Sequence, residues 1–230
     1  MNGWQALLVC VAGVWAGMIN AVVGSGTLVS FPVLLSVGVP PVTANVSNSV
    51  GLFPGSFVGA YGYRRELEGQ RSRAVALSSA SGLGAVLGAV LLLVLPAAAF
   101  KEIVPVLIGI ALVLVVFGKQ ITAWLASRGQ HAAAHVTLPL WLTAFATGVY
   151  GGYFGAAQGV LLLGFLGLFL TESLQRQNAL KNVLAGFTNL VAAVFFVIVT
   201  HVDWLAAGLI AEAGGNETGM QTICGHNGVT

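Results

Sequence analysis

Charge is the scarcest commodity in this chain. Of 230 residues, nine are Lys or Arg and seven are Asp or Glu, 7% in all. A soluble domain carries about 25%. Hydrophobic residues make up 57% and the mean hydropathy is +0.92. Water cannot solvate most of such a surface, so the chain reads as an all-α, polytopic integral membrane protein in contact with a lipid bilayer. Cysteine is also scarce. Cys10 and Cys224 are too few for a disulfide or metal framework. A phosphate-binding Walker loop is missing, as is any serine–histidine or paired-carboxylate set, so nothing suggests an enzyme or a bound cofactor. His131 and His135 stand four residues apart without further ligands and read as a solvated loop. The N-terminus lacks the basic region and cleavage site of a signal peptide, and residues 4 to 19 read as a first span.

Where the few charges fall is informative. Arg64, Arg65, Arg71 and Arg73 crowd one short loop, with Glu66 and Glu68 among them. A basic loop between spans is cytoplasmic by the positive-inside rule, and this explains the cluster without nucleic acid. Apolar runs fall at 4–22, 27–38, 44–62, 74–95, 103–124, 138–154, 157–170, 178–200 and 204–211. A span needs roughly 20 residues. The runs 44–62, 74–95, 103–124 and 178–200 meet that length. The runs 27–38 and 157–170 fall short, and each follows a glycine-rich elbow.

Those elbows are a repeat. AGMINAVVGSGTLVSFPVLL (16–35) slides onto TGVYGGYFGAAQGVLLLGFL (147–166), with Gly17 on Gly148 and Gly24 on Gly155. Further on, TANVSNSVG (43–51) matches QNALKNVLA (177–185), with Asn48 on Asn182. The basic side swaps between copies. Loop 63–73 is basic where its partner 200–204 is not, and loop 39–43 is uncharged where its partner 171–181 holds Arg176 and Lys181. Five segments separate the starts of the two copies, and an odd number inverts the second. The reading is an inverted repeat, each copy opening with a broken helix hairpin. Residues 1–124 form the first repeat, 125–137 a cytoplasmic linker, 138–211 an incomplete second repeat and 212–230 an atypical polar tail. The repeat predicts further apolar helix after Ala211, so truncation or a frameshift is expected there, a natural short variant being the alternative.

Helix breaks expose N–H groups and a positive dipole end, which favour an anion. Gly24, Ser25, Gly26 and Thr27 at the first elbow and Gly152, Gly155 and Gln158 at the second are therefore candidate binding residues, with close helix packing as the plainer account of the glycines. Asn20 and the other uncharged polar residues suit either a site or interhelical hydrogen bonds. Asn45 and Asn178 read as helix caps. Asn48 and Asn182 lie deeper, and either line the cavity or tie the repeats together. Lys181, a cation at the end of a span, would neutralise an anion or else snorkel to the headgroups.

Together these segments resemble the sulfite exporter TauE/SafE family. The resemblance rests on AGMINAVVGSGTLVSFPVLLSVGVPPVTANVSNSVG, on GVYGGYFGAAQGVLLLGFLGL and on LQRQNALKNVLAGFTNLVAAVFFVIVTHVDW, covering roughly residues 10 to 208. It places Gly24, Gly26 and Pro32 on one signature, Gly152, Gly155, Gln158 and Gly159 on the next, and Asn178, Lys181 and Asn182 on the third. It implies a bacterial inner-membrane transporter of two repeats whose cargo is a small sulfur-containing anion such as sulfite, a sulfonate or thiosulfate, moved by alternating access. Ser25 and Thr27 depart from the consecutive glycines usual in the family. A neutral or cationic cargo, and a non-transporting membrane subunit, are the competing readings. A homo-oligomer is left open.

Overall fold

The structure is a computed structural model that describes residues 2–22, 24–128 and 136–214. His131, His135, Cys224, His226 and most of the polar tail lie outside the described residues. Ten helices are described: α1 Gly3–Val22, α2 Thr27–Ser36, α3 Pro41–Gly62, α4 Arg71–Val94, α5 Ala97–Val116, α6 Gly118–Arg128, α7 Leu138–Tyr153, α8 Gln158–Phe169, α9 Leu174–Val199 and α10 Trp204–Gly214. Among the described residues there is no strand. Within α1, α4, α5 and α9 lie stretches long and apolar enough to cross a membrane. Trp4, Leu7, Val11 and Trp15 of α1 and Val106, Ile110, Val113 and Val116 of α5 are exposed. Such an apolar exterior belongs against lipid, and the chain is a multi-pass membrane protein.

Both elbows are real breaks. Gly24 (φ +74°) ends α1, its N–H donating to the Asn20 carbonyl at 2.9 Å. Gly155 (φ +75°) ends α7 the same way, donating to Tyr150 at 3.0 Å. The two glycines aligned by sequence thus share one left-handed conformation, which a side chain would strain. Two other expectations are corrected. The run 103–124 is not one span, because the helix stops at Phe117 and restarts as α6, where Gly118 faces the Val160 side chain of α8. Asn45 and Asn178 are not caps. α3 begins earlier, at Pro41, and α9 starts after Ser173, whose Oγ accepts from the Arg176 N–H.

Small residues let helices interlock. Gly84 and Gly88 of α4 lie against the Phe145 and Val149 carbonyls of α7, while Gly148 and Gly152 of α7 lie against Ser81 and Ala85 of α4. The register advances the same way on both, so α4 and α7 run parallel. On the other side Gly13 and Gly17 of α1 meet Ile210 and Gly214 of α10, again in parallel. α3 and α9 pack antiparallel, with Gly186 against Ser56 at their middles and the Ser47 Oγ accepting from the Asp203 N–H near one end. At the centre, Phe31 of α2 meets Phe154 of the second elbow edge-on at 5.3 Å, with Phe100 of α5 beside both.

The bundle has two unlike faces. On one, Glu172 pairs with Arg73 at 3.0 Å and Arg176 at 2.7 Å, and Arg176 donates to the Glu68 carbonyl. The basic segments of the two copies therefore share a face, as the charge swap predicts. Arg73 hydrogen bonding, reinforced by Arg176, holds the Glu172 carboxyl below its ordinary value of 4.5 against the opposing effect of desolvation. On the opposite face a cavity of about 520 Å³ lies between Val37–Thr43 and His201–Trp204.

A depressed carboxylate pKa stabilises the fold at pH above the unfolded value and ceases to do so as pH falls through the folded one. The stability difference between wild type and Glu172→Gln should hold at neutral pH and shrink as pH drops below 4.5, read by thermal unfolding in detergent. Gly84→Leu should cost about 1–3 kcal/mol by forcing α4 off α7. Gly109→Leu, at a position with open space around it, should be tolerated in the same assay.

Candidate functional site

The two elbows meet backbone to backbone. The Gly159 N–H donates to the Gly24 carbonyl at 3.3 Å, and a Cβ on Gly24 would fall 2.7 Å from the Gly159 Cα. This contact sets Ser25 and Gln158, each one residue away, beside the crossing. The second elbow makes a further unusual turn at Ala157, a non-glycine residue with φ +60°. Several N–H groups at the two helix starts are already used in tight turns: Leu28 to Ser25, Val29 to Gly26, Gln158 to Gly155 and Val160 to Ala157. Side chains, more than these amides, are thus left to hold a solute.

The candidate residues divide by whether their polar atoms have partners. Asn48 donates to the Thr27 Oγ1 at 3.1 Å and accepts from the Ser30 hydroxyl. All three are buried. This network ties α2 to α3 within the first copy. Gly26 is buried under α1, where a Cβ would strike the Ala16 carbonyl, and Gly152 packs on Ala85. Gly24 and Gly155 form the turns. The rest are different. The Ser25 Oγ, Gln158 Nε2, Lys181 Nζ and Asn182 Nδ2 are buried without any hydrogen-bond partner. The Gln158 side chain lies over Gly151. Lys181 has no exposed surface at all, so it does not snorkel to the headgroups. It sits in the second turn of α9, a helix packed on α3, α4, α7 and α8.

Sequence reasoning misjudged one residue here. Asn45 donates its Nδ2 to the Tyr153 carbonyl at 2.9 Å, reaching from the first copy to the end of α7, and leaves its Oδ1 buried without a partner. The Pro40-Pro41 pair, suited to the first turn of a helix, was the available signal that α3 begins before Asn45. Asn20 and Asn189 both approach the Ser56 hydroxyl, at 3.4 and 3.5 Å, forming a second polar cluster from α1, α3 and α9. Among the described residues no three His, Cys, Asp or Glu gather as metal ligands.

Paired broken helices meeting inside a bundle of apolar helices define an all-α, multi-pass membrane protein with discontinuous helices. The sulfite exporter TauE/SafE family model matches residues 9–216, and the chain belongs to that family. It is 33% identical over 162 residues to "Probable membrane transporter protein ORF9" of Sinorhizobium sp, an alignment spanning 69% of this chain and 59% of that protein. It is 27% identical over 215 residues to "Probable membrane transporter protein" of Haemophilus influenzae, spanning 91% of this chain and 80% of that protein. No solved structure matches.

Asn48 and Asn182 occupy matching sequence positions in different hydrogen-bonding situations. Asn48→Ala should destabilise by about 1–3 kcal/mol, since it strips the Thr27 and Ser30 hydroxyls of a buried partner. Asn182→Ala, which removes an unpartnered donor, should cost clearly less. Thermal unfolding of both variants in one detergent decides this, and equal losses would contradict it.

Proposed function

We propose that this chain is a membrane transporter that moves a small anion, such as sulfite, an organosulfonate or another sulfur oxyanion, across a bacterial inner membrane by alternating access. The observation that carries the reading is Lys181: a fully buried ammonium group without a partner. An isolated charge in so dry a place is costly by several kcal/mol unless an opposite charge joins it. Ser25, Gln158 and Asn182 carry further unpartnered buried polar atoms whose donors an oxyanion would complete, while Asn45 and Asn178 leave carbonyl oxygens unpartnered. Family membership and the relatives' names support transport as the activity.

The two halves act as inverted repeats in this reading. The matching left-handed glycines support it, as do the paired interlocks of α4 with α7 and α10 with α1. So does direction. α1 starts at the cavity face, where Gln5 donates to the Val37 carbonyl, while α7 runs parallel to α4, which starts at the arginine face. The bound anion would sit at the elbow crossing, with Lys181 supplying charge and Ser25, Gln158 and Asn182 hydrogen bonds.

Purified protein in liposomes should pass one of the anions in a panel of sulfite, sulfonates, thiosulfate, sulfate and carboxylates, and that anion should raise the unfolding temperature by mass action. Lys181→Met should remove at least about tenfold of the affinity, equal to 1.4 kcal/mol. The apo protein should be no less stable, because an unpaired buried charge is gone. Unchanged flux in Lys181→Met would reject the site, and no flux with any anion would leave a non-transporting subunit.

A further inference from the structure

The two faces of the bundle are held differently. On the arginine face, four segments are drawn together. Glu172, in the α8–α9 loop, takes Arg73 from the first turn of α4 and Arg176 from the first turn of α9. Arg176 then donates through Nη2 to the Glu68 carbonyl, and the Gln70 Nε2 donates to the Arg176 carbonyl at 3.4 Å. Gln70 is buried, and its Oε1 accepts from Arg73 at 3.3 Å. Gln177 folds back to the Leu170 and Glu172 carbonyls, fixing the loop that carries Glu172. On the opposite face the Asp203 N–H donates to the Ser47 Oγ, and the 520 Å³ cavity lies between Val37–Thr43 and His201–Trp204. Thr43 lines that cavity, and one turn deeper on α3 lies Ser47, beside Asn48.

Lys181 lies five residues beyond Arg176 on α9, about 7.5 Å along the helix axis. The ion-pair cluster therefore covers the way from the arginine face to Lys181 and Asn182. The cluster joins the two sequence copies, α4 and its preceding loop from the first and the α8–α9 segment from the second, which are the parts that must separate for one to rock against the other. Partly exposed ion pairs are weak enough to break and re-form in a working cycle.

We propose that Arg73, Glu172 and Arg176 are the latch of a gate that shuts the arginine face, and that the structure holds that gate closed. This rests on the transporter reading, but its test does not require the cargo. In a Cys10→Ala/Cys224→Ala background, Ser25→Cys serves as a reporter at the elbow crossing. A membrane-impermeant methanethiosulfonate is applied to oriented vesicles from each face in turn. With the latch intact, labelling from the arginine face should be slow. Glu172→Gln should raise labelling from the arginine face roughly fivefold or more, as the open state gains population, without raising it from the cavity face. A rate unchanged on the arginine face, or raised equally on both, overturns the proposal.

A second variant guards against misfolding of the first. Arg73→Cys/Glu172→Cys, oxidised to a disulfide, should stop labelling of the Ser25→Cys reporter from the arginine face. Persistent labelling with the disulfide formed overturns the gate. Absence of solute flux in the wild-type protein, with labelling of the variants as expected, would instead count against the transport reading and leave the gate standing.

Discussion

A helix that breaks inside a membrane uncovers peptide groups where there is no water to satisfy them, and this structure answers that constraint by setting one break against the other. The Gly159 N–H donates to the Gly24 carbonyl, and both residues lack the Cβ that would hold the chains apart. Other features follow from that contact. The half-helices α2 and α8 can start at depth because their first amides turn back on the elbows. Phe31 and Phe154 can stack across the copies because the elbows have already brought α2 and the second break together. Ser25 and Gln158 at the elbows, and Lys181 and Asn182 on the inner side of α9, are among the polar side chains left unpartnered.

The polar groups near the elbows are of two kinds, and the distinction matters for function. Asn48, Thr27 and Ser30 use one another and behave as part of the scaffold. Ser25, Gln158, Lys181 and Asn182 have buried donors with nothing to bind. Buried polar atoms in folded proteins generally have a partner, whether protein, ordered water, ion or solute. The asymmetry is chemical as well: the position of Lys181 is occupied in the first copy by Ser47, which accepts from the Asp203 amide. Ser47 thus holds a loop of the second half with its hydroxyl, where the aligned position carries the buried Lys181.

Part of this was legible in the sequence for physical reasons. Gly24 and Gly155 could be paired because a left-handed turn leaves few residues to choose from, and undersized apolar runs after each betrayed half-helices. The common face of Arg73 and Arg176 was legible because charge sorting depends only on loop position. The break between α5 and α6 was legible but passed over: Gly118, Lys119 and Gln120 follow Phe117 directly and interrupt the apolar run 103–124. Lys181 could not be placed, because burial depends on what packs around the second turn of α9, and a lysine near a helix start looks the same whether it points to headgroups or to a core. Asn45 was misread as a cap because its partner, the Tyr153 carbonyl, is 108 residues away.

The α1–α10 interlock has a consequence for how the chain is made. Gly13 and Gly17 form a groove whose occupant is the last described helix, ending at Gly214. During synthesis the first helix enters the bilayer and must wait for nearly 200 residues of chain before its groove is filled, whereas α4 and α7 meet after roughly a third of that separation. Contacts of such high sequence separation form late and slowly. The N-terminal helix should thus be the element exposed longest to insertion chaperones and membrane proteases, and defects near Gly214 should register first as degradation of the whole protein, before any effect on the site could be seen.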